Sequence, residues 1–420
     1  MSHDTNTHRR GLILNMINHL GPISRTELIS LTDYRPATVG AIVAQLLEEQ
    51  LVVETGYHSA GHGRKRVMLE INSRHLCAIG ISFSARCVNY IVAQTDGNIL
   101  HESETPIPAS NSKQELAKEI AEHVQTLLSL FSQRCIIGIG ICNPLYDPLS
   151  YKAAGPVLAN YLHFNDWIHE DLSPMLEALG QLTVKSFSGV TMPALAEQRF
   201  GVAKGMDHFL WIELTNGIGA SIFCNGNVYG GAHGVAGELG HTMINHDSTN
   251  QRLCYCGKPG CVESTAAYPA LIGAIRKSLA DGVFSVLNTY HSDPNQITVQ
   301  DLRRALEEGD RLCIYHVRNA AQQIGVAIAN AVTLLNPQMI VLYGFMLELG
   351  DYFLQQLETA IRENVLSLAS DFEIRVSNAL ESIMSLGAVA EIFSDYLKMD
   401  DYRWVYQLQN AEPNIKEESL

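Results

Sequence analysis

Three cysteines crowd into Cys254-Tyr255-Cys256-Gly257-Lys258-Pro259-Gly260-Cys261, and a histidine precedes them at the end of Gly237-Glu238-Leu239-Gly240-His241. One imidazole and three thiolates form a closed four-ligand set of the kind that holds tetrahedral zinc and leaves no position for an activated water. The spacing therefore predicts one structural Zn2+ per chain on His241, Cys254, Cys256 and Cys261. The other six cysteines, Cys77, Cys87, Cys135, Cys142, Cys224 and Cys313, fall in apolar stretches and read as small core residues. An odd total of nine, spread over a long chain, argues against a disulfide framework.

A second group of reactive character lies near the N-terminus, where Arg64, Lys65 and Arg66 follow Gly61-His62-Gly63. Adjacent cations at a loop tip can enter a narrow minor groove or neutralise phosphates. The 420-residue chain carries a net charge of −15, which opposes unspecific nucleic-acid binding. Residues 1 to 72, however, hold seven Lys or Arg against seven Asp or Glu, so the negative excess belongs wholly to the rest. A locally neutral head with its arginines focused on one face can bind DNA.

The elements around those cations have a definite order. Leu12, Ile13, Met16, Ile17 and Leu20 recur at helical spacing from Arg9 to His19, and Gly21-Pro22 ends the run. Ser24 and Glu27 have the form of a capping box that starts a short second helix. Pro36 suits the first turn of a third helix, whose apolar positions are Val39, Ile42, Val43, Leu46 and Leu47. Arg35, Thr38, Ala41 and Gln45 are left on its outer face, where small and hydrogen-bonding side chains allow close approach to base edges. Leu51 to Thr55 and Arg66 to Ile71 then read as a hairpin. The whole is a winged helix-turn-helix over residues 1–75, with Arg35, Thr38, Gln45, Arg64, Lys65 and Arg66 as its DNA contacts. A module that merely mediates protein contacts is the plainer alternative.

The length requires more than one core. From residue 76 to about 400 the chain alternates short apolar strands with helical segments. The strands are a pair between Cys77 and Ala93, then Cys135–Cys142, Leu182–Lys185, Phe209–Leu214, Ala220–Cys224 and Met339–Leu342, with a long helix from Lys113 to Ser132. This pattern predicts an α/β body of two lobes. Residues 401–420 are polar and read as a tail. No apolar run approaches the ~20 residues of a bilayer span, and the N-terminus has no apolar leader, which predicts a cytoplasmic protein without membrane insertion.

The segment from Gly237 to His241, followed by the Cys254, Cys256, Cys261 and Glu263 spacing, resembles the signature of the ROK family of repressors and sugar kinases. With Leu335-Asn336-Pro337-Gln338-Met339-Ile340-Val341, Gly387-Ala388 and the N-terminal module, the resemblance covers nearly the whole chain. It is strongest to the repressor branch, which includes regulators responsive to N-acetylglucosamine and to glucose. The resemblance implies an actin-like, sugar-kinase-like body. It also implies that Glu238, His241 and Glu263 contact sugar hydroxyls, a task suited to carboxylates that accept from two vicinal hydroxyls. Asn165 and Asp166 are further candidates, with loop capping as their structural alternative.

The kinase half of the pattern fails at three places. Gly80-Ile81-Ser82-Phe83-Ser84-Ala85 stands where the resemblance implies an aspartate and a glycine pair at the first phosphate loop. Ser188 and Gly189 stand where it implies the catalytic Asn-Asp, and glycine cannot act as a general base. Tyr343-Gly344-Phe345-Met346 lacks the paired glycines of the adenosine segment, while Thr215-Asn216-Gly217-Ile218-Gly219 keeps the outline of a second phosphate loop. No catalytic residue is expected. The family implies a dimer or tetramer that sets two heads on an operator, repressing genes of carbohydrate uptake or catabolism and released by a sugar or sugar derivative. Loss of an aspartate at Gly189 leaves room for a phosphorylated or acidic sugar. A protein effector and an active ATP-dependent kinase are the rival readings.

Overall fold

The computed structural model describes residues 2–58, 66–84, 87–107, 112–142, 166–180, 182–187, 189, 191–244, 252–378 and 382–397. The chain divides into two compact units: residues 1–196 with 382–420, and residues 197–381.

The first unit begins with α1 (Ser2–Leu20), β1 (Ile23–Ser24), α2 (Arg25–Thr32), α3 (Pro36–Glu48), β2 (Val52–His58) and β3 (Arg66–Ile71). Helix α1 extends further toward the N-terminus than its apolar spacing predicts. The capping box forms as expected: Glu27 N–H donates to Ser24 Oγ at 3.3 Å and Ser24 N–H to Glu27 Oε2 at 2.8 Å, which satisfies two otherwise orphaned donors. Pro36 opens α3, which buries Val39, Ile42, Val43 and Leu46. The two-residue strand β1 pairs with β3, giving a three-stranded sheet in the order β1-β3-β2. Such a short strand carries no periodicity and is invisible in the sequence.

A five-stranded sheet follows, built from β4 (Leu76–Phe83), β5 (Cys87–Gln94), β6 (Ile99–Pro106), β7 (Cys135–Cys142) and β8 (Thr183–Phe187), with α4 (Lys113–Leu130) on one side. Its order is β6-β5-β4-β7-β8. The first three strands are an antiparallel meander, and β7 and β8 add in parallel. All eight residues of β4 are buried, as expected of a strand covered on both faces. Helix α4 starts on a second capping box, Ser112 with Glu115, and buries Leu116, Ile120, Val124 and Leu127.

The second unit repeats the plan. Helix α5 (Met192–Phe200), which begins in the first unit, leads to β9 (Phe209–Leu214), β10 (Ile218–Cys224) and β11 (Asn227–Val228); then come α6 (Val262–Ala266), α7 (Tyr268–Ala280), α8 (Val299–Glu307), α9 (Arg311–Leu335), β12 (Met339–Tyr343), α10 (Asp351–Asn364) and β13 (Glu373–Val376). The sheet order is β11-β10-β9-β12-β13, again antiparallel first and then parallel. Leu210, Ile212 and Leu214 alternate onto the face that shares a core with α7, α9 and α10.

The last helix, α11 (Ile383–Tyr396), returns to the first unit and lies across β4 and β7. Glycines make the approach possible: a Cβ on Gly80 would stand 2.3 Å from the Ser385 carbonyl oxygen, and one on Gly140 2.5 Å from that of Ala388. Val389, Ile392, Phe393 and Leu397 share one buried cluster with Ile13, Met16, Ile17 and Leu46 of the N-terminal helices. Among the described residues, no helix is long and apolar enough to cross a membrane.

Candidate functional site

The four residues of the cysteine-histidine pattern converge in the second unit. One ligand atom from each of His241, Cys254, Cys256 and Cys261 lies within 4.8 Å of all the others. Local backbone explains the convergence. Cys254 N–H donates to the Lys258 carbonyl at 2.9 Å and Gly257 N–H to that of Cys254 at 3.0 Å, curling the first two cysteines into a tight turn. Cys261 is the N-cap of α6, and His241 closes a short 3-10 turn after Glu238. Isolated bridges pairing Met243 with Cys261 and Leu253 with Pro259 tie the segments of the knuckle together.

Side-chain geometry fixes which histidine nitrogen faces the sulfurs. Nδ1 of His241 is 3.6 Å from Cys254 Sγ, whereas Nε2 is 3.0 Å from the Tyr255 hydroxyl and 3.6 Å from Glu238 Oε2. An Nε2–H directed at oxygen leaves the Nδ1 lone pair for a metal, the usual outer support of a ligating imidazole. Burial pushes the Cys261 thiol up to about 12 and raises that of Cys254, while the Lys258 backbone N–H lowers that of the exposed Cys256. Clustered thiols of this kind become thiolates by exchanging protons for a cation. The donor set fits a metal ion with a preference for sulfur and nitrogen. The composition of the sequence motif pointed to these four ligands; Tyr255 and Lys258 were not singled out, since nothing in their spacing marks them.

Two carboxylates flank the knuckle. Glu238 is exposed, and its contact to His241 is the one given above. Glu263, in the first turn of α6, accepts the Ile218 backbone N–H on Oε2 at 3.0 Å, reaching from the knuckle to the Thr215–Gly219 turn between β9 and β10. The two segments touch closely: a Cβ on Gly240 would lie 2.4 Å from the Ile218 carbonyl oxygen, and one on Gly217 2.8 Å from Glu263 Oε2. Glu238, His241 and Glu263 thus belong to one constellation. Asp166 is exposed at the start of the turn that buries Trp167, and it belongs to the first unit. Asn165 lies outside the described residues, as does Ser188.

Arg35, Ala41 and Gln45 are exposed and Thr38 half-buried on α3, opposite its core face. Gln45 donates to Glu49 at 2.8 Å, and Glu49 also pairs with Arg10. Arg66 is exposed at the start of β3, 4.0 Å from Glu27. Arg64 and Lys65, with the Gly61–Gly63 segment, lie outside the described residues.

The ROK family model matches residues 78–392. The chain belongs to the ROK family. It is 28% identical over 395 residues to the xylose repressor of Caldicellulosiruptor bescii, covering 93% of this chain and 96% of that protein. It is 26% identical over 384 residues to the Escherichia coli DNA-binding transcriptional dual regulator NagC, covering 90% of each. Its fold matches the crystal structure of a ROK family transcriptional regulator, described as a homologue of the E. coli MLC protein, with a TM-score of 0.77, 23% identity and coverage of 94% and 98%.

Within this ROK body the three places that depart from a kinase have structural counterparts. Ser82 is buried and its hydroxyl accepts from Ser385 Oγ at 2.8 Å, so the strand end at the first loop position is tied to α11. Phe83 packs edge-on against Trp167 with ring centroids 6.2 Å apart. Gly189 is buried and offers no side chain. In the second unit Tyr343 stacks on Trp211 at 4.9 Å, and Gly344 holds a φ of +118° with its Cβ direction 2.2 Å from the Leu214 carbonyl oxygen. One residue went unnoticed in the sequence: Glu213 on β9, whose carboxylate accepts from the Thr215 hydroxyl at 3.3 Å. It has some exposed surface, yet the surrounding protein is dense enough that burial pushes its carboxyl up to about 7.

Proposed function

We propose that this chain is a non-enzymatic, sugar-responsive transcriptional repressor of the ROK family. The observation that carries the reading is the extent of its likeness to a repressor, which spans 93% of the chain and so reaches beyond the family's own domain at residues 78–392. Those N-terminal elements act as a winged helix-turn-helix. Helix α3 enters the major groove with Arg35, Thr38 and Gln45 toward base edges, while Arg64, Lys65 and Arg66 contact the minor groove or phosphates. The chain works in the cytoplasm as a dimer or tetramer, since one helix reads only one half-site of a near-palindromic operator.

The metal on His241, Cys254, Cys256 and Cys261 is zinc in a structural role, because four protein ligands leave no open position. It would fix α6 and so place Glu263 beside His241 and Glu238, the residues assigned here to sugar hydroxyls. Sugar lowers operator affinity to the extent that it binds the DNA-free arrangement better. Phosphoryl transfer is not part of the function, for Gly189 supplies no base at the position where a kinase needs one.

The test is fluorescence anisotropy on DNA from upstream of the chain's own gene and of neighbouring sugar-uptake genes. The expected result is specific binding that Arg35→Ala weakens by about tenfold or more without a change in Tm. Equal affinity of wild type and Arg35→Ala for every fragment, at a level no better than random DNA, would reject the reading.

A further inference from the structure

The Thr215–Gly219 turn has the backbone character of an anion receptor, with glycines at 217 and 219 that let a ligand approach N–H groups between two strands. Two of its donors already have carboxyl partners from within the chain. Ile218 N–H donates to Glu263 Oε2 at 3.0 Å, and the Thr215 hydroxyl donates to Glu213 Oε1 at 3.3 Å. The first plug is built in rather than incidental. Glu263 follows Cys261 on α6, Gly240 of the histidine segment lies against the Ile218 carbonyl oxygen, and the space beyond Gly217 is filled by the Glu263 carboxylate itself.

We propose that Glu263 and Glu213 close this turn to phosphate, and that the effector of this chain is therefore an unphosphorylated, uncharged sugar. The inference rests on the sugar-sensing reading above and narrows it to one ligand class. A phosphate ester brought to the turn would have to displace one carboxylate from a backbone donor and sit beside another. Glu213 shows how unfavourable the place is for negative charge. Burial and the Thr215 hydroxyl are the influences acting on its carboxyl, and among the described residues no cation offsets the burial. The departure at Gly189 relieves repulsion of an anionic ligand in one part of the molecule; these two carboxylates restore it in another.

The experiment is calorimetric titration of the zinc-loaded full chain, at constant ionic strength, with two sets of probes. In the first, xylose, glucose and N-acetylglucosamine are each compared with their own phosphate esters. The expected result is that any sugar that binds does so at least about tenfold more tightly than its ester; an ester that binds as tightly as its parent sugar overturns the proposal. The second set is inorganic pyrophosphate against wild type and Glu213→Gln. The expectation is no binding to wild type in the low millimolar range and a gain of about tenfold or more in the variant. Binding to wild type below about 1 mM, or no gain in Glu213→Gln, overturns it. If no sugar of either kind binds, the sugar-sensing reading fails while the pyrophosphate comparison still decides the closure of the turn.

Discussion

The two five-stranded sheets have the same strand order and the same change from antiparallel to parallel pairing, yet the corresponding hairpin ends have diverged in opposite ways. In the first unit, the end of β4 is tied down by packing: Ser82 bonds to Ser385, Gly80 admits α11, and Phe83 rests on Trp167. In the second, the β9–β10 turn keeps its glycines and is filled by carboxylates instead. A shared topology therefore does not preserve a shared chemistry. Strand order depends on buried apolar faces and is robust; a phosphate loop depends on a few uncovered N–H groups and is lost when any neighbour takes them.

The largest way to break the comparison is at the proposed metal site, a cluster of ligands that, among the described residues, the second unit alone supplies. Cys261→Ser is expected to remove one zinc per chain, measured by elemental analysis, and to lower Tm by at least about 10 °C because structural zinc binding is coupled to folding. Unchanged metal content and Tm would detach the knuckle from the stability of its unit.

Next come the close backbone approaches. Gly344→Ala forces a Cβ to within 2.2 Å of the Leu214 carbonyl oxygen at a φ of +118°, and Gly80→Ala meets the Ser385 carbonyl oxygen at 2.3 Å. Each is expected to cost about 3 kcal/mol or more in denaturant unfolding. Gly40→Ala on α3, where nothing lies within 4 Å of the new Cβ, should instead stabilise by about 0.5 to 1 kcal/mol.

A smaller effect separates the two hairpins by pH. The Glu213 carboxyl is raised to about 7, above its ordinary value in the unfolded chain, so its ionised form penalises the folded state above that pH and the penalty fades as pH falls through it. Glu213→Gln should thus raise Tm most near about pH 8, with the gain shrinking toward about pH 5. A gain independent of pH would deny the buried charge. Ser385→Ala, its counterpart in the first unit, should cost about 1 to 2 kcal/mol with no such pH dependence.

Much of this was legible in the sequence because it is local. The capping box at Ser24 and Glu27, Pro36 at the start of α3, and the strands Cys135–Cys142 and Phe209–Leu214 each follow from neighbouring residues and stand within the bounds read from them. So do the four clustered metal-type ligands, three of which fall within one short segment. What escaped is non-local. The pairing of β1 with β3, the glycine seats for α11, and the meeting of Glu263 with Ile218, 45 residues apart, arise only when the chain closes. Glu213 reads in sequence as an ordinary polar position of a strand. Its altered acidity comes from atoms contributed by other elements.

The most direct test of the sugar-responsive repressor is to titrate a preformed complex of the chain and its operator with xylose, glucose and N-acetylglucosamine while following anisotropy, with ATP consumption assayed in parallel. The account predicts that one sugar releases the DNA with saturable dependence and that none is phosphorylated. A complex indifferent to every sugar, or turnover of ATP on any of them, would contradict it.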